Sequence, residues 1–292
     1  MNKLTDILTK EYMSKLDALS YQMTARLSAG YGGARRAKGK GGSLEFSDFR
    51  AYADGDDLRR IDWKGYARSD KLFVKLFMEE KQATFNFFLD NSASMAFGEG
   101  EKGLYAKTLA ASLGYIFLRS TDRVNLFTVD TALSLSRGGL ASKARFYELA
   151  DALEKMPFSG ETALGAALSQ SREHRLGSGV SFVFSDFFSP DGFEEGVLAL
   201  ARKGQQVALV CLLSPEETMP VLDGPLRLVD AETGQAREVR VTAEVLAQYA
   251  KALEAHKERL RAFAARHGFT YIFADTGTHP LETVGEILRG AQ

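Results

Sequence analysis

The chain has 292 residues, room for one large domain or two smaller ones. Its 45% hydrophobic and 26% charged residues are typical of a globular protein and exclude wholesale disorder, collagen and coiled coil. Lysine and arginine number 37 against 38 aspartate and glutamate, a formal net charge of −1, so no global field draws the chain toward nucleic acid or anionic lipid and any charged site must be local.

Leu4, Ile7, Leu8, Met13, Leu16, Leu19 and Met23 keep an approximate 3.6-residue period, which predicts one helix or two short ones over 3–27. Charges at helical spacing interrupt this start, and it lacks the continuous apolar stretch of a secretory signal. The longest uncharged, mostly apolar stretch, Thr108 to Leu118, falls short of the roughly 20 residues that span a bilayer. The single cysteine, Cys211, excludes an intrachain disulfide framework and suits a reducing compartment. The expectation is a soluble, cytoplasmic protein without a membrane span.

Residues 29–42, AGYGGARRAKGKGG, hold six glycines and four basic residues and read as a basic loop without a preferred conformation. A phosphate-binding P-loop fails on spacing: five residues before Gly39 stands Ala34, and Gly41 follows Lys40 where Ser or Thr is required. Residues 44–80 are dense in charge around the only tryptophan, Trp63. Asp54, Asp56, Asp57 and Asp62 do not form a calcium loop, because position 12 counted from Asp54 is Gly65 instead of Glu. The expectation is an irregular segment with Arg and Asp side chains paired locally.

From residue 82 short apolar runs alternate with helical patterns. Strands are expected at 82–89, 124–129, 180–185, 206–213 and 269–274, with helices at 101–119, 142–155, 163–174, 190–203 and 242–267. Such alternation predicts an α/β fold with a mostly parallel sheet covered on both faces. Gly268 stands where the last long helix needs a cap, and His256 shares a face with Tyr249, Leu253, Leu260 and Phe263, so it reads as a packing residue. Residues 226–241 interrupt the alternation and predict a β-ribbon turned at Glu232-Thr233-Gly234. Composition divides the chain into an N-terminal extension, 1–80, and an α/β domain, 81–292, with an insertion at about 214–241.

In an open α/β sheet, ligands bind beyond the carboxyl ends of the strands. There the first buried strand delivers Asp90-Asn91-Ser92-Ala93-Ser94, and the strand at 180–185 delivers Asp186. A third loop offers Thr162 at the start of a helix. Each residue alone could be a helix cap. Together Asp90, Ser92, Ser94, Thr162 and Asp186 make a hard-oxygen donor set without His or Cys, suited to Mg2+ or Mn2+ over Zn2+. With so few protein charges around it, such a metal stays electrophilic.

Asp90-Asn91-Ser92-Ala93-Ser94-Met95, Gly160-Glu161-Thr162 and Ser185-Asp186 resemble the metal-ion-dependent adhesion site of von Willebrand factor A domains. Glu45-Phe46, Arg50-Ala51-Tyr52, the run from Gly55 to Trp63, and Ala67-Arg68 resemble the signature of the bacterial family called domain of unknown function 58. The resemblance covers roughly residues 25–290, including Asp230-x-Glu232-Thr233-Gly234. It implies a von Willebrand A-like, doubly wound fold with the metal held by Ser92, Ser94 and Thr162, and by Asp90 and Asp186 directly or through water. In such sites the remaining position is usually filled by an acidic residue of a protein partner. The family is commonly encoded beside MoxR-type AAA+ ATPases, which implies an adaptor or co-chaperone role, and the leading expectation is a non-enzymatic, metal-dependent protein-binding module. Two departures stand out: Phe187 follows Asp186 where A domains usually carry Gly, and the membrane helices of many relatives are missing from the pattern.

Two further function classes remain. A metal-dependent phosphoester hydrolase could use the metal to orient water, but no His or Lys follows the strands as a general base. Nucleic-acid binding would rest on Arg35, Arg36, Lys38 and Lys40 with Tyr31 nearby, a weak footprint without a second basic stripe.

Overall fold

A computed structural model of the chain describes residues 3–30, 44–79, 82–98, 101–177 and 179–290. The residues Tyr31, Arg35, Arg36, Lys38 and Lys40 of the basic loop lie outside them. By contacts the chain divides into two units, residues 25–82 and residues 1–24 with 83–292. Composition had placed the division at 80/81 alone. The first 24 residues group with the larger unit because their apolar stripe is buried there: Leu4, Tyr12 and Leu16 join its core, and the Tyr12 hydroxyl lies 2.9 Å from that of Ser112. The helices are α1 (Leu4–Ile7) and α2 (Lys10–Gly30).

The smaller unit is more regular than its charge density predicts. Strand β1 (Leu44–Ala51) pairs antiparallel with β2 (Phe73–Glu79), and helix α3 (Trp63–Ser69) lies between them in sequence. The expected irregular segment is therefore a hairpin with a long helical connection. The local pairing is as anticipated: Arg50 meets Asp56 at 2.7 Å, and Asp56 also accepts the Ala53 N–H at 2.9 Å. Ile61 and Val74 are buried as a bridged pair, whereas Trp63 is 59% exposed and meets Tyr66 edge-on.

The larger unit is built on strands β3 (Thr84–Asp90), β4 (Arg123–Val129), β5 (Leu133–Leu140), β6 (Gly179–Ser185), β7 (Gln205–Leu213) and β10 (Thr270–Asp275). Their order is β10-β7-β6-β3-β4-β5, all parallel except the edge strand β5. The sequence pattern did not show β5, because LSLSRGGL buries only its two ends and pairs on one side. The remaining elements are α4 (Glu101–Arg119), α5 (Phe146–Lys155), α6 (Leu164–Ser169), α7 (Glu194–Arg202), α8 (Pro215–Thr218), α9 (Ala243–His267) and α10 (Pro280–Gly290). The expected ribbon is β8 (Gly224–Val229) paired antiparallel with β9 (Ala236–Val241). Gly268 caps α9 in the left-handed conformation, φ 69°, as Gly does without a Cβ penalty.

Side chains alternate across the sheet. Phe87, Leu89, Leu126, Phe182, Phe184, Val210 and Leu212 pack under α1, α2, α4, α5 and α10, while Phe88, Phe127, Val183, Leu209 and Cys211 pack under α6, α7 and α9. Both faces are covered, the doubly wound α/β architecture that the alternation of elements implies. Helix α4 is buried almost all round, so it needs small residues at its closest contacts and bonds for its hydroxyls: Ser112 donates to the Thr108 carbonyl at 2.7 Å. Among the described residues no helix is long and apolar enough to cross a membrane.

One packing constraint is testable in isolation. Gly179 opens β6 opposite Thr84, and a Cβ there would lie 1.8 Å from the Thr84 carbonyl oxygen. Backbone cannot move aside as a side chain can, so Gly179→Ala is expected to lose about 1–3 kcal/mol in chemical denaturation.

Candidate metal centre

The strand order switches at β3: β4 and β5 are added on one side of it, and β6, β7 and β10 on the other, all but β5 parallel to it. The crevice beyond the carboxyl ends of such a strand pair is where α/β sheets bind ligands. Asp90 is the last residue of β3, and Asp186 is the first after β6. Asp90 is 1% exposed; its carboxylate accepts the Ser92 N–H at 3.0 Å and the Ser185 hydroxyl at 2.6 Å. Burial, and then the charge of Asp186, push its pKa up to about 6, against the opposing pull of the Ser185 and Ser92 bonds. The hydroxyls of Ser92 and Ser94 lie 3.0 Å apart, held on one side by the single 3-10 turn at Ala93–Ala96.

The loop bearing Thr162 is tied to this segment by backbone. Ser159 N–H donates to the Asn91 carbonyl at 2.9 Å, and Ala93 N–H donates to the Gly160 carbonyl at 3.0 Å. Thr162 is buried, and its hydroxyl has no hydrogen-bond partner. It does not cap α6, whose N-cap is Ala163. The Ser92 hydroxyl likewise makes no capping bond to the turn it precedes. Helix capping thus explains neither residue, and a buried hydroxyl without a partner costs about 1–3 kcal/mol. The Thr162 N–H, by contrast, donates to the Glu232 carboxylate at 2.9 Å.

Asp186 is joined to Asp90 through Ser185, but it also has commitments that the sequence did not show. One of its oxygens accepts from the Lys102 ammonium at 2.8 Å, and the other from the Phe188 N–H at 3.0 Å. Lys102, fully buried in the first turn of α4, donates equally to Glu217 of α8 at 2.8 Å. Burial by itself would push the Lys102 ammonium down; Asp186 and Glu217 outweigh it and hold its pKa above the ordinary lysine value. The ring of His256 packs on Phe188, and its Nε2 lies 2.9 Å from the Asp186 carbonyl oxygen, which gives that side chain both a packing and an anchoring part.

Phe187, in the place where A domains usually carry Gly, adopts φ 61°. That left-handed backbone costs a residue with a Cβ about 1–2 kcal/mol. Two contacts hold it there: its N–H donates to Ser185 Oγ at 2.9 Å, and its buried ring meets Phe193 edge-on. The loop after β6 therefore keeps a turn that glycine would make without strain.

Among the described residues no group of three or more His, Cys, Asp or Glu side chains is arranged to hold a metal ion. A cation here would rest on hydroxyls with few carboxylates. The unpartnered Thr162 hydroxyl, the Ser92 and Ser94 hydroxyls and the Asp90 carboxylate fit a hard divalent ion. Asp186 fits less directly, since an ammonium already engages one of its oxygens.

Residues 48–259 match the family model described as "Protein of unknown function DUF58". The uncharacterized protein Rv1480 of Mycobacterium tuberculosis is 25% identical over 222 residues, covering 74% of this chain and 70% of that protein. Among solved structures, an aerotolerance-related membrane protein from Bacteroides fragilis aligns over 71% of this chain and 98% of its own, with 17% identity and a TM-score of 0.45. Proximal thread matrix protein 1 from the mussel byssus, with a zinc-occupied MIDAS motif, aligns over 71% of this chain and 46% of its own, with 13% identity and a TM-score of 0.42.

Proposed function

The chain belongs to the family described as Protein of unknown function DUF58, and from that premise we propose that it is a divalent-metal-dependent protein-binding module, an adaptor with no catalytic activity of its own. The observation that carries this reading is the Thr162 hydroxyl: it is buried, without a partner, on a loop bonded to the segment of Ser92 and Ser94. Ser92, Ser94 and Thr162 would hold the ion through their hydroxyls, with Asp90 as the nearby carboxylate. Asp186, engaged by Lys102, would act through water. A bound Mg2+ or Mn2+ would supply an electrophilic position for an acidic side chain of a partner protein. The family resemblance makes a MoxR-type AAA+ ATPase, or its client, the first partner to test.

The residues of this chain have separate tasks in that scheme. Ser185 and the Ser92 N–H orient the Asp90 carboxylate, and the strained Phe187 turn together with Phe188 N–H orients Asp186. The Lys102 ammonium offsets the charge of Asp186 and Glu217, so the pocket does not gather excess negative charge. The same commitments disfavour the hydrolase reading, since Lys102 is held by two carboxylates and the His256 Nε2 by a carbonyl.

Calorimetric titration of Mg2+ and Mn2+ into chelator-treated protein tests the proposal. Wild type is expected to bind one ion, and Ser92→Ala/Ser94→Ala to lose at least about tenfold in affinity, the scale on which loss of metal-site contacts is felt. Equal affinity in both proteins would reduce the hydroxyl pair to a turn device.

A further inference from the structure

Glu232 lies in the turn of the β8–β9 ribbon, and its carboxylate reaches the Thr162 N–H, 70 residues away in sequence. We infer that Glu232 is the chain's own occupant of the metal centre: it takes the position open to a partner's acidic residue, and the partner must lift the ribbon turn to bind. The inference rests on the metal-dependent reading above.

Three observations carry it. The residue that Glu232 contacts is the one whose buried hydroxyl has no protein partner, so a carboxylate stands beside the unfilled part of the donor set. The turn is also built to present that side chain. Asp230 accepts from the N–H groups of Glu232 at 3.0 Å and Thr233 at 2.7 Å and from the Thr233 hydroxyl at 2.9 Å, and its carbonyl accepts from Gly234, which has φ 70°. These bonds account for the Asp230-x-Glu232-Thr233-Gly234 pattern, for which the adaptor reading alone has no use. Finally, Glu232 forms no ion pair with a described residue, and the ribbon that carries it is exposed along most of both strands. A two-stranded ribbon is marginally stable by itself, so the turn can be displaced at modest cost.

The consequence is competition. A tethered carboxylate competes at an effective concentration in the millimolar range. If it occupies the ion nine-tenths of the time, an external carboxylate binds about tenfold more weakly than to the open centre.

Mn2+ provides a readout independent of any partner, because water-proton relaxation reports the exchangeable waters on the bound ion. Acetate would be titrated into Mn2+-loaded wild type, Glu232→Ala and Glu232→Gln, with Mn2+ binding measured for each. The expected result is that acetate removes exchangeable water from both variants at about tenfold lower concentration than from wild type. Glu232→Gln can still accept the Thr162 N–H but has lost the charge, so a glutamine variant that matches wild type would overturn the inference and leave Glu232 a structural bond. Identical acetate curves in all three Mn2+-loaded proteins would overturn it as well. Absence of Mn2+ binding in all three would remove the metal-dependent reading itself, and this inference with it.

Discussion

Lys102→Met is expected to cost the protein about 3–5 kcal/mol of folding stability, the range seen when one partner of a buried ion pair is removed. Lys102 is fully buried, and the carboxylates it bridges, Asp186 and Glu217, have side chains that are 3% and 16% exposed. Methionine fills much of the same volume, so the loss would come from charge and not from a cavity. Without the ammonium, Asp186 keeps only the Phe188 N–H on its carboxylate and stands close to the buried Asp90. Urea denaturation of the metal-free protein measures the effect. Adding Asp186→Asn to Lys102→Met should recover part of it, since the amide removes the more deeply buried of the two carboxylate charges that the ammonium had compensated, leaving that of Glu217. A loss below about 1 kcal/mol in the single variant would mean that water already solvates these carboxylates and that the ammonium is not needed to neutralise them.

Asp90→Asn is expected to abolish metal binding while making the metal-free protein more stable by about 1–2 kcal/mol at neutral pH. The sign follows from linkage. The folded-state pKa of Asp90 lies at about 6, above the ordinary value of 3.8. The folded state therefore holds this proton more tightly than the unfolded chain, and stability falls as pH rises from about 4 to about 6. Above that window the buried charge is a full cost. Asparagine removes it and can keep both neighbours: its oxygen accepts the Ser92 N–H, and its amide donates to the Ser185 oxygen. Thermal unfolding in chelator should show a midpoint higher by several degrees, and a Mn2+ titration of the same sample should be flat. A lower midpoint in chelator would show that the Asp90 charge itself supports the fold.

Much of the candidate centre is legible in the sequence, for a definite reason. Asp90 and Asp186 end short apolar runs, and in a parallel sheet every such end lies at one edge, so the pattern itself brings them to a common side. Ser92 and Ser94 follow from their spacing in one turn. Thr162 was visible as a hydroxyl at a helix start, yet only its burial without a partner separates it from an ordinary cap. Strand β5 was missed because this edge strand buries only its two end residues and leaves no clear alternation between them. The hairpin of the smaller unit was hidden by charged residues of the strand and its connection that pair with each other, such as Arg50 of β1 with Asp56.

By itself, then, the sequence determined the layer order and the edge at which the candidate residues lie, because hydrophobic periodicity is a local property that reports which face of each element is buried. The tertiary structure alone decided the electrostatics of the site. Lys102 meets acidic groups 84 and 115 residues away, and Glu232 meets Thr162 across 70. No local pattern encodes such pairings: the packing of α4 brings Lys102 to its two carboxylates where water is excluded and each charge needs a partner, and the ribbon turn carries Glu232 to a backbone N–H of a distant loop.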